Sequence, residues 1–390
     1  MLAAVTSSIV FLFIWFTILQ HYVKPLVFPK RKTVSSLGFQ EEQNDNVVAS
    51  TLSSLAKHCP IIPVNSNNVD ILSSPKEFRT HILDSIRNAK HRIYISALYF
   101  GTSEVEQSII DALYEALRRN PDLQVHLVFD HRRSLRGFGQ SKKGRKCCVE
   151  LFDKLLRFNN FSLKLFHVPL FPYLSSITRI FELFGVLHTK FYVFDDDVIV
   201  SGANLSSDYL TGSHDNSEPD SGKQDRYFIF NATPQLAEWY LALYEVLSTH
   251  SYTTLCGVDG GLPSIVPPRT NPVRRPVKFK KELKRDLVEL ISTFHAKKNL
   301  DTDTFVLPTI QAGFAGVGHE SHCLELFLKH LTDVADDESN KEMQVTITTP
   351  YLNFSNTVAK VLGKLSRKLK SRMDLIAASA KANSFYGAKI

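Results

Sequence analysis

The stretch LHTKFYVFDDDVIVSGANLS, residues 187–206, decides how the rest of the chain is read. It runs through apolar FYVF, turns at Asp195-Asp196-Asp197 and returns through VIVS. Two short strands around an Asp-rich turn predict a β-hairpin. His188 and Lys190 stand two apart in the apolar strand, so both side chains point to one face. Asn204 follows Gly202 at the end of the hairpin and can come up beside them. A neutral imidazole is a competent nucleophile, and an adjacent ammonium supplies charge for phosphate oxygens. An amide adds a neutral donor to the same oxygens. The set suits attack on a phosphodiester or phosphoanhydride, and this chemistry requires no metal or cofactor. A lone His and Lys on a solvent-facing edge strand are commonplace. The weight lies in the complete pattern, His188, Lys190 and Asp195 as HxKxxxxD followed by Gly202 and Asn204 as GxN.

Working outward, SSPKEFRTHILDSIRNAKHR opens with Ser74 as N-cap, Pro75 at the first helical position and Glu77 completing a capping box. Phe78, Ile82, Ile86 and Ala89 then recur at helical spacing. RIYISALYF reads as a strand, EVEQSIIDALYEALRRN as a helix and LQVHLVFD as a second strand. Strand, helix, strand at this spacing predicts an α/β fold with helices covering a sheet. A later stretch, MQVTITTPYLNFSNTVAKVLGKLSRKLKSRMDLIAAS, can be laid over HRIYISALYFGTSEVEQSIIDALYEALRRNPDLQVHLVFD, pairing Tyr351 with Tyr99. Each copy reads apolar strand, Tyr, short polar loop, helix with a basic end and apolar strand, an internal repeat; the alternative is that any two βαβ units share this outline.

The 390 residues leave room for two or three domains, and 44% hydrophobic content allows a sizeable core. Ordinary Gly and Pro counts exclude a collagen-like or wholly disordered chain, and 22% charge excludes a polytopic membrane protein. The formal charge of +7 suits anionic partners without choosing among them. Cys59, Cys147, Cys148, Cys256 and Cys323 show no CxxC spacing, which argues against zinc or a disulfide framework and for a reducing compartment. Residues 1–23 carry no Lys, Arg, Asp or Glu and contain IVFLFIWFTIL, followed by Lys24, Lys30, Arg31 and Lys32. A single membrane anchor is the leading expectation there, with a cleaved targeting segment and a buried helix as alternatives. Residues 24–59 read as a linker, 60–250 as the first folded half, 251–280 as a Gly-, Pro- and base-rich linker, and 281–390 as the start of a second half.

The hairpin pattern resembles the signature of the phospholipase D superfamily. SGANLS, Tyr209-Leu210 and Gln224-Asp225-Arg226-Tyr227 look like its phosphatidylglycerophosphate synthase branch. So do ALYFGTSE at 97–104, FHVPLF at 166–171, the basic loop after Phe129-Asp130 and the terminal NSFYGAK. The resemblance implies a mixed β-sheet flanked by helices, with one complete half and a partial second half. It implies transfer of a phosphatidyl group from CDP-diacylglycerol to sn-glycerol 3-phosphate with release of CMP. It further implies a mitochondrial, membrane-associated setting, a membrane surface as partner, a role in cardiolipin synthesis, and no nucleic acid. On this likeness His188 would form a phosphatidyl-histidine, Lys190 and Asn204, with Gly202, would hold the phosphate oxygens, and Asp195 would orient the hairpin. Ala97, Leu98, Tyr99, Phe100, Gly101, Thr102, Ser103 and Glu104 match a segment marked nucleotide-binding, or ATP-binding, in the family. The residues themselves show only a strand-to-helix loop, without GxxxxGK[ST]. The loop HRRSLRGFGQSKKGRK, with Arg132, Arg133 and Arg136, reads either as a solvated loop or as an electrostatic funnel for CDP, glycerol phosphate or anionic lipid heads.

Superfamily members generally use two such motifs, the second histidine acting as general acid and base. His295-Ala-Lys297 is rejected as that motif, because Thr302 occupies the Asp position and no GxN strand follows. Counting from Tyr351 as His188 is counted from Tyr99 runs beyond Ile390. The expectation is that the second half stops short of its hairpin, leaving the chain weak alone unless two copies pair as a homodimer. Two other readings stay open: a single-motif, homodimeric, membrane-anchored phosphodiesterase acting on nucleic acid or cardiolipin, and a catalytically silent CDP-diacylglycerol-binding protein. Nucleotide or divalent-ion dependence is left open.

Overall fold

The computed structural model describes residues 46–137, 147–169, 185–211, 223–258, 261–296, 302–335, 344–349, 354–369 and 372–379. The apolar segment 1–23, most of the basic loop (138–146), Lys297, Tyr351 and NSFYGAK lie outside the described residues. The chain forms two compact units, one of residues 61–306 and one of residues 1–60 with 307–390.

In the first unit the strands are β1 (Ile62–Val64), β2 (Val69–Leu72), β3 (Arg92–Ala97), β4 (Gln124–Asp130), β5 (Phe161–Phe166), β6 (Phe191–Phe194), β7 (Asp197–Ser201), β8 (Tyr227–Phe230), β9 (Ser251–Leu255), β10 (Ser264–Val266) and β11 (Thr304–Val306). Nine of them form one sheet in the order β10-β9-β5-β4-β3-β6-β7-β8-β2. Its centre, β3, β4 and β5, is parallel, and the flanks are antiparallel. This is a mixed α/β sheet flanked by helices.

The helices form where sequence capping predicts. In α2 (Pro75–Asn88), after α1 (Asn46–Leu55) of the other unit, the Ser74 hydroxyl accepts from the Glu77 amide. Glu77 itself turns to Ser73, accepting from its amide and hydroxyl, so the expected reciprocal box is displaced by one residue. In α3 (Glu104–Arg119), Ser103 and Glu106 close a complete capping box. Phe78, Ile82 and Ile86 of α2 and Ile109, Ile110 and Leu113 of α3 bury against one face of the sheet. The unit also holds the short α4 (His131–Ser134), α5 (Cys148–Leu151) and α6 (Ser207–Leu210), then α7 (Pro234–Thr249) and α8 (Pro276–Thr293).

The expected linker 251–280 is instead occupied by β9, β10 and the start of α8. Gly and Pro mask the pattern, but Ser264–Val266 pairs with Thr253–Leu255 and extends the sheet edge. The expected linker 24–59 likewise ends in α1, where Leu52 and Ala56 are buried.

The second unit holds β12 (Gln311–Ala312), β13 (Val317–Gly318), α9 (His319–Val334), β14 (Val345–Thr349), α10 (Asn356–Lys368) and β15 (Met373–Ala377). β14 and β15 pair in parallel across α10, as β3 and β4 do across α3. All five cysteines are free. Among the described residues no helix is long and apolar enough to cross a membrane.

Candidate active site

The β6–β7 hairpin forms where expected, but the motif begins outside its ladder. The last pair on that side is Ser96 with Phe191, so residues 187–190 overhang the end of the sheet. His188 and Lys190 therefore lie in the segment leading into β6 rather than in the strand. Gly185 opens that segment at φ 130°, a conformation closed to side-chain-bearing residues. Ser96 Oγ lies 2.5 Å from Thr189 Oγ1, fixing the residue between His188 and Lys190 to β3.

Lys190 Nζ stands 3.1 Å from His188 Nδ1 and 3.3 Å from Nε2, and donates to the His188 carbonyl at 3.2 Å. The imidazole is exposed and the ammonium beneath it is buried. His188 keeps an exposed edge, but the protein around its ring shields it in part from water and lowers its pKa, and the positive charges of Lys190 and Arg133 lower it further. Burial brings Lys190 down to about 8, opposed by the negative charge of Asp225. The nucleophile candidate is thus neutral at pH 7, beside an ammonium poised near its titration.

Asp195 sits at the hairpin turn with φ 53°. Its carboxylate accepts from the amides of Lys90 (2.8 Å), His91 (2.8 Å) and Arg92 (3.0 Å). Burial acts to raise its pKa, but these three donors together hold it below the usual carboxylate value. It pins the hairpin to the start of β3, at the opposite end of β6 from His188, and so acts through position.

Asn204 is buried, and its Oδ1 has no hydrogen-bond partner among the described residues. Its side chain also bonds Tyr209. Gly202 lies close under Asp225: a Cβ there would meet its carboxylate at 2.5 Å, so that side chain would have to turn aside. Asp225, the acid facing Lys190, stands in the QDRY stretch, but its role could not be read from sequence because β8 brings it back across 35 residues.

Two further carboxylates fasten the site. Asp130, buried at the end of β4, accepts from the Arg133 amide at 2.9 Å and from the Leu187 amide at 3.0 Å, immediately before His188. Burial raises its pKa against those bonds. Glu106 accepts from Ser103 N at 2.8 Å, from Ser103 Oγ and from Ser207 N. The Gly101 amide donates to Leu205 O at 2.7 Å. The amides of Gly101 and Ser103 are therefore engaged within the protein, beside a carboxylate, while Ala97, Leu98 and Phe100 are core. Thr102 and Glu104 lie at the start of α3. The stretch 97–104 gives no support to a nucleotide or ATP site; it braces the Asn204 segment. Tyr99 in this stretch has Arg133 5.9 Å from its ring centre. Of the predicted basic residues, Arg133 reaches the electrostatic surroundings of His188, Arg132 lies beside His131 and His167, and Arg136 is exposed. Burial holds His131 at about 3 and His167 at about 4, so both imidazoles are neutral.

Residues 82–218 match the family model described as cardiolipin synthase, PLD-like domain. That stretch, which contains the hairpin, is similar to a phospholipase D-like domain. It is 28% identical over 375 residues to a probable CDP-diacylglycerol–glycerol-3-phosphate 3-phosphatidyltransferase of Dictyostelium discoideum, covering 89% of this chain and 59% of that protein. It is 27% identical over 369 residues to the mitochondrial enzyme of that name from Gallus gallus, covering 85% and 61%. The chain thus spans about six tenths of the length of these relatives. The crystal structure of phosphatidylserine synthase from Haemophilus influenzae shares the fold, with TM-score 0.58 and 23% identity over 88% of this chain and 68% of that one. Within the matched stretch the HxK pair stands at the end of β6, with Asp225 and Arg133 among the charges that act on it.

Proposed function

We propose that the protein is a phosphatidyltransferase that takes the phosphatidyl group of CDP-diacylglycerol onto His188 and passes it to sn-glycerol 3-phosphate, forming phosphatidylglycerophosphate. The observation that carries this reading is the Lys190 ammonium 3.1 Å from the His188 imidazole in a stretch similar to a phospholipase D-like domain. In the first step a neutral His188 nitrogen forms a P–N bond as the P–O bond to CMP breaks, and the electron pair leaves on the CMP phosphate. Lys190 and Asn204 stabilise the charge gathering on the phosphoryl oxygens. In the second step an acceptor hydroxyl attacks phosphorus, its proton passes to a base and the P–N bond breaks. Among the described residues no second His-x-Lys pair stands beside the first, so the covalent half-reaction is what the described residues of this site perform.

The relatives' names support CDP-diacylglycerol as donor and glycerol 3-phosphate as acceptor, the vertebrate names support a mitochondrial setting, and the description of the matching family model supports a link to cardiolipin synthesis. A bacterial relative, 27% identical over 84% of this chain, is named for serine instead, so the acceptor is the discriminating variable. The purified chain, given labelled CDP-diacylglycerol with either acceptor, is expected to release CMP and to form lipid product with glycerol 3-phosphate, lost in His188→Ala. Product with serine alone, or hydrolysis of cardiolipin or DNA without an acceptor, would replace this reading.

A further inference from the structure

Between Leu262 and Arg285 the chain carries eight Lys or Arg and one acid, Glu282, an excess of seven. That equals the formal +7 of the whole chain, so the remaining residues are balanced. This is one strongly basic stretch, running from the end of β10 through the connection after it to the first turns of α8; the loop after Asp130 is another. Arg274, Arg275, Lys278 and Lys281 are all exposed there. Lys278 pairs with Glu282 at 3.7 Å and Arg285 with Asp286 at 2.7 Å, contacts that leave a large positive surplus.

Large aliphatic side chains are exposed on the same stretch. Val258 and Val277 are 82% and 80% exposed, and Leu255, Leu262 and Val266 roughly half. Leu255 and Val266 belong to the β9–β10 edge, whose outer side has no described strand. Basic side chains alone would suit any polyanion; basic side chains interleaved with protruding aliphatics suit an interface that is anionic at its surface and apolar just below. Nucleic acid offers the first property and not the second.

The basic part of this surface lies toward the catalytic end of the sheet, whereas Leu255, where β9 ends, and Val258 and Leu262 beyond it lie toward the other end. β9 runs antiparallel to β5, so Ser251 and Tyr252 sit at the same sheet end as Asp130 and Phe166. The Asn271 side chain bonds the Tyr252 hydroxyl, and the Tyr252 ring stands 4.7 Å from His131, next to Asp130, which holds the Leu187 amide.

The geometry points to residues 266–285 as a docking surface for a bilayer carrying anionic phospholipid, with Val266 and Val277 entering the interface and the Arg274–Lys281 cluster meeting the headgroups. It rests on the phosphatidyltransferase reading only for its purpose, which is to bring a lipid-borne phosphodiester to His188. The test is sedimentation of the full chain with vesicles of phosphatidylcholine alone or with about one third phosphatidylglycerol. The wild type is expected to prefer the anionic vesicles and to lose that preference at high salt. Arg274→Gln/Arg275→Gln/Lys278→Gln/Lys281→Gln should weaken anionic binding at least about 20-fold, each charge contributing several-fold. Val266→Ser/Val277→Ser should weaken it several-fold without changing its salt dependence. Unaltered thermal melting keeps these variants interpretable. Equal binding to both vesicles, retention of the preference in the quadruple variant, or loss of duplex DNA binding in place of vesicle binding would overturn the proposal. CMP release from detergent-dispersed substrate reads the chemistry separately: unchanged release with lost vesicle binding supports docking, and vesicle binding without release defeats only the assigned reaction.

Discussion

The two βαβ units, β3–α3–β4 and β14–α10–β15, have the same local construction and different surroundings. Ser103 and Ser355 cap their helices, and Leu113 and Leu365 occupy the same fully buried position on them. Both strand pairs are parallel. The strands differ. Ile95 is flanked by Leu127 on one side and Tyr192 on the other and is fully buried. Its counterpart Ile347 has one described neighbour, Leu375, and is half-buried. A βαβ unit becomes a platform for chemistry when a hairpin such as β6–β7 pairs with its first strand. In the first unit that pairing buries β3 and places His188 at its end. Helix packing comes from local sequence, and strand burial comes from the neighbour.

The largest effect that could break this comparison is a strand truncation. Ile95→Ala should cost about 3–4 kcal/mol, and Ile347→Ala about 1 kcal/mol, because a half-buried site loses less transfer energy and leaves no closed cavity. Denaturant unfolding followed by probes in each unit reads both. Equal costs would mean that the second strand pair is as enclosed as the first. Leu113→Ala and Leu365→Ala, in contrast, should cost similar amounts, about 3 kcal/mol each.

Next in size is the ammonium that the hairpin adds to the first unit alone. Lys190→Met should slow CMP release on the order of 10²–10³-fold with little loss of stability. Loss of activity together with cooperative unfolding would mark Lys190 as structural.

Much of this was legible in the sequence. The α2, β3, α3, β4 succession and the hairpin follow from periodicity and capping residues within short windows. The HxKxxxxD spacing carried the site because each of its members acts through a backbone position set locally. What was not legible depends on long-range return. Asp225 meets Lys190 only because β8 pairs with β7, and Asp130 meets the Leu187 amide only because the overhang folds back over β4. The edge strands β9 and β10 were hidden by Gly and Pro and by a hairpin connection without alternation. The overhang of His188 past the ladder was hidden because extended chain and strand share one residue pattern.

A smaller effect sharpens the electrostatic side. Covalent transfer should fall as pH drops and His188 protonates, below the ordinary imidazole range because its pKa is lowered. It should also fall as pH rises through about 8 and Lys190 loses its proton. Asp225 raises the Lys190 pKa, so Asp225→Asn should move the alkaline limb to lower pH and leave the acid limb nearly in place. An alkaline limb that stays fixed would separate Asp225 from Lys190.

The smallest contrast is between the caps. Ser103→Ala and Ser355→Ala should each cost about 1 kcal/mol, with Ser103→Ala the larger because it also strips a donor from the buried Glu106 carboxylate. A reversed order, measured by unfolding, would place the tighter helix start in the second unit.

The central claim is that His188 carries the transferred group. The purified chain should be mixed with CDP-diacylglycerol labelled at the phosphatidyl phosphorus, quenched in alkali and digested. The expected result is acid-labile, alkali-stable label on the peptide containing His188, formed with one CMP per label and absent from His188→Ala. Label on another residue, label that survives in His188→Ala, or CMP release with no labelled protein would contradict it.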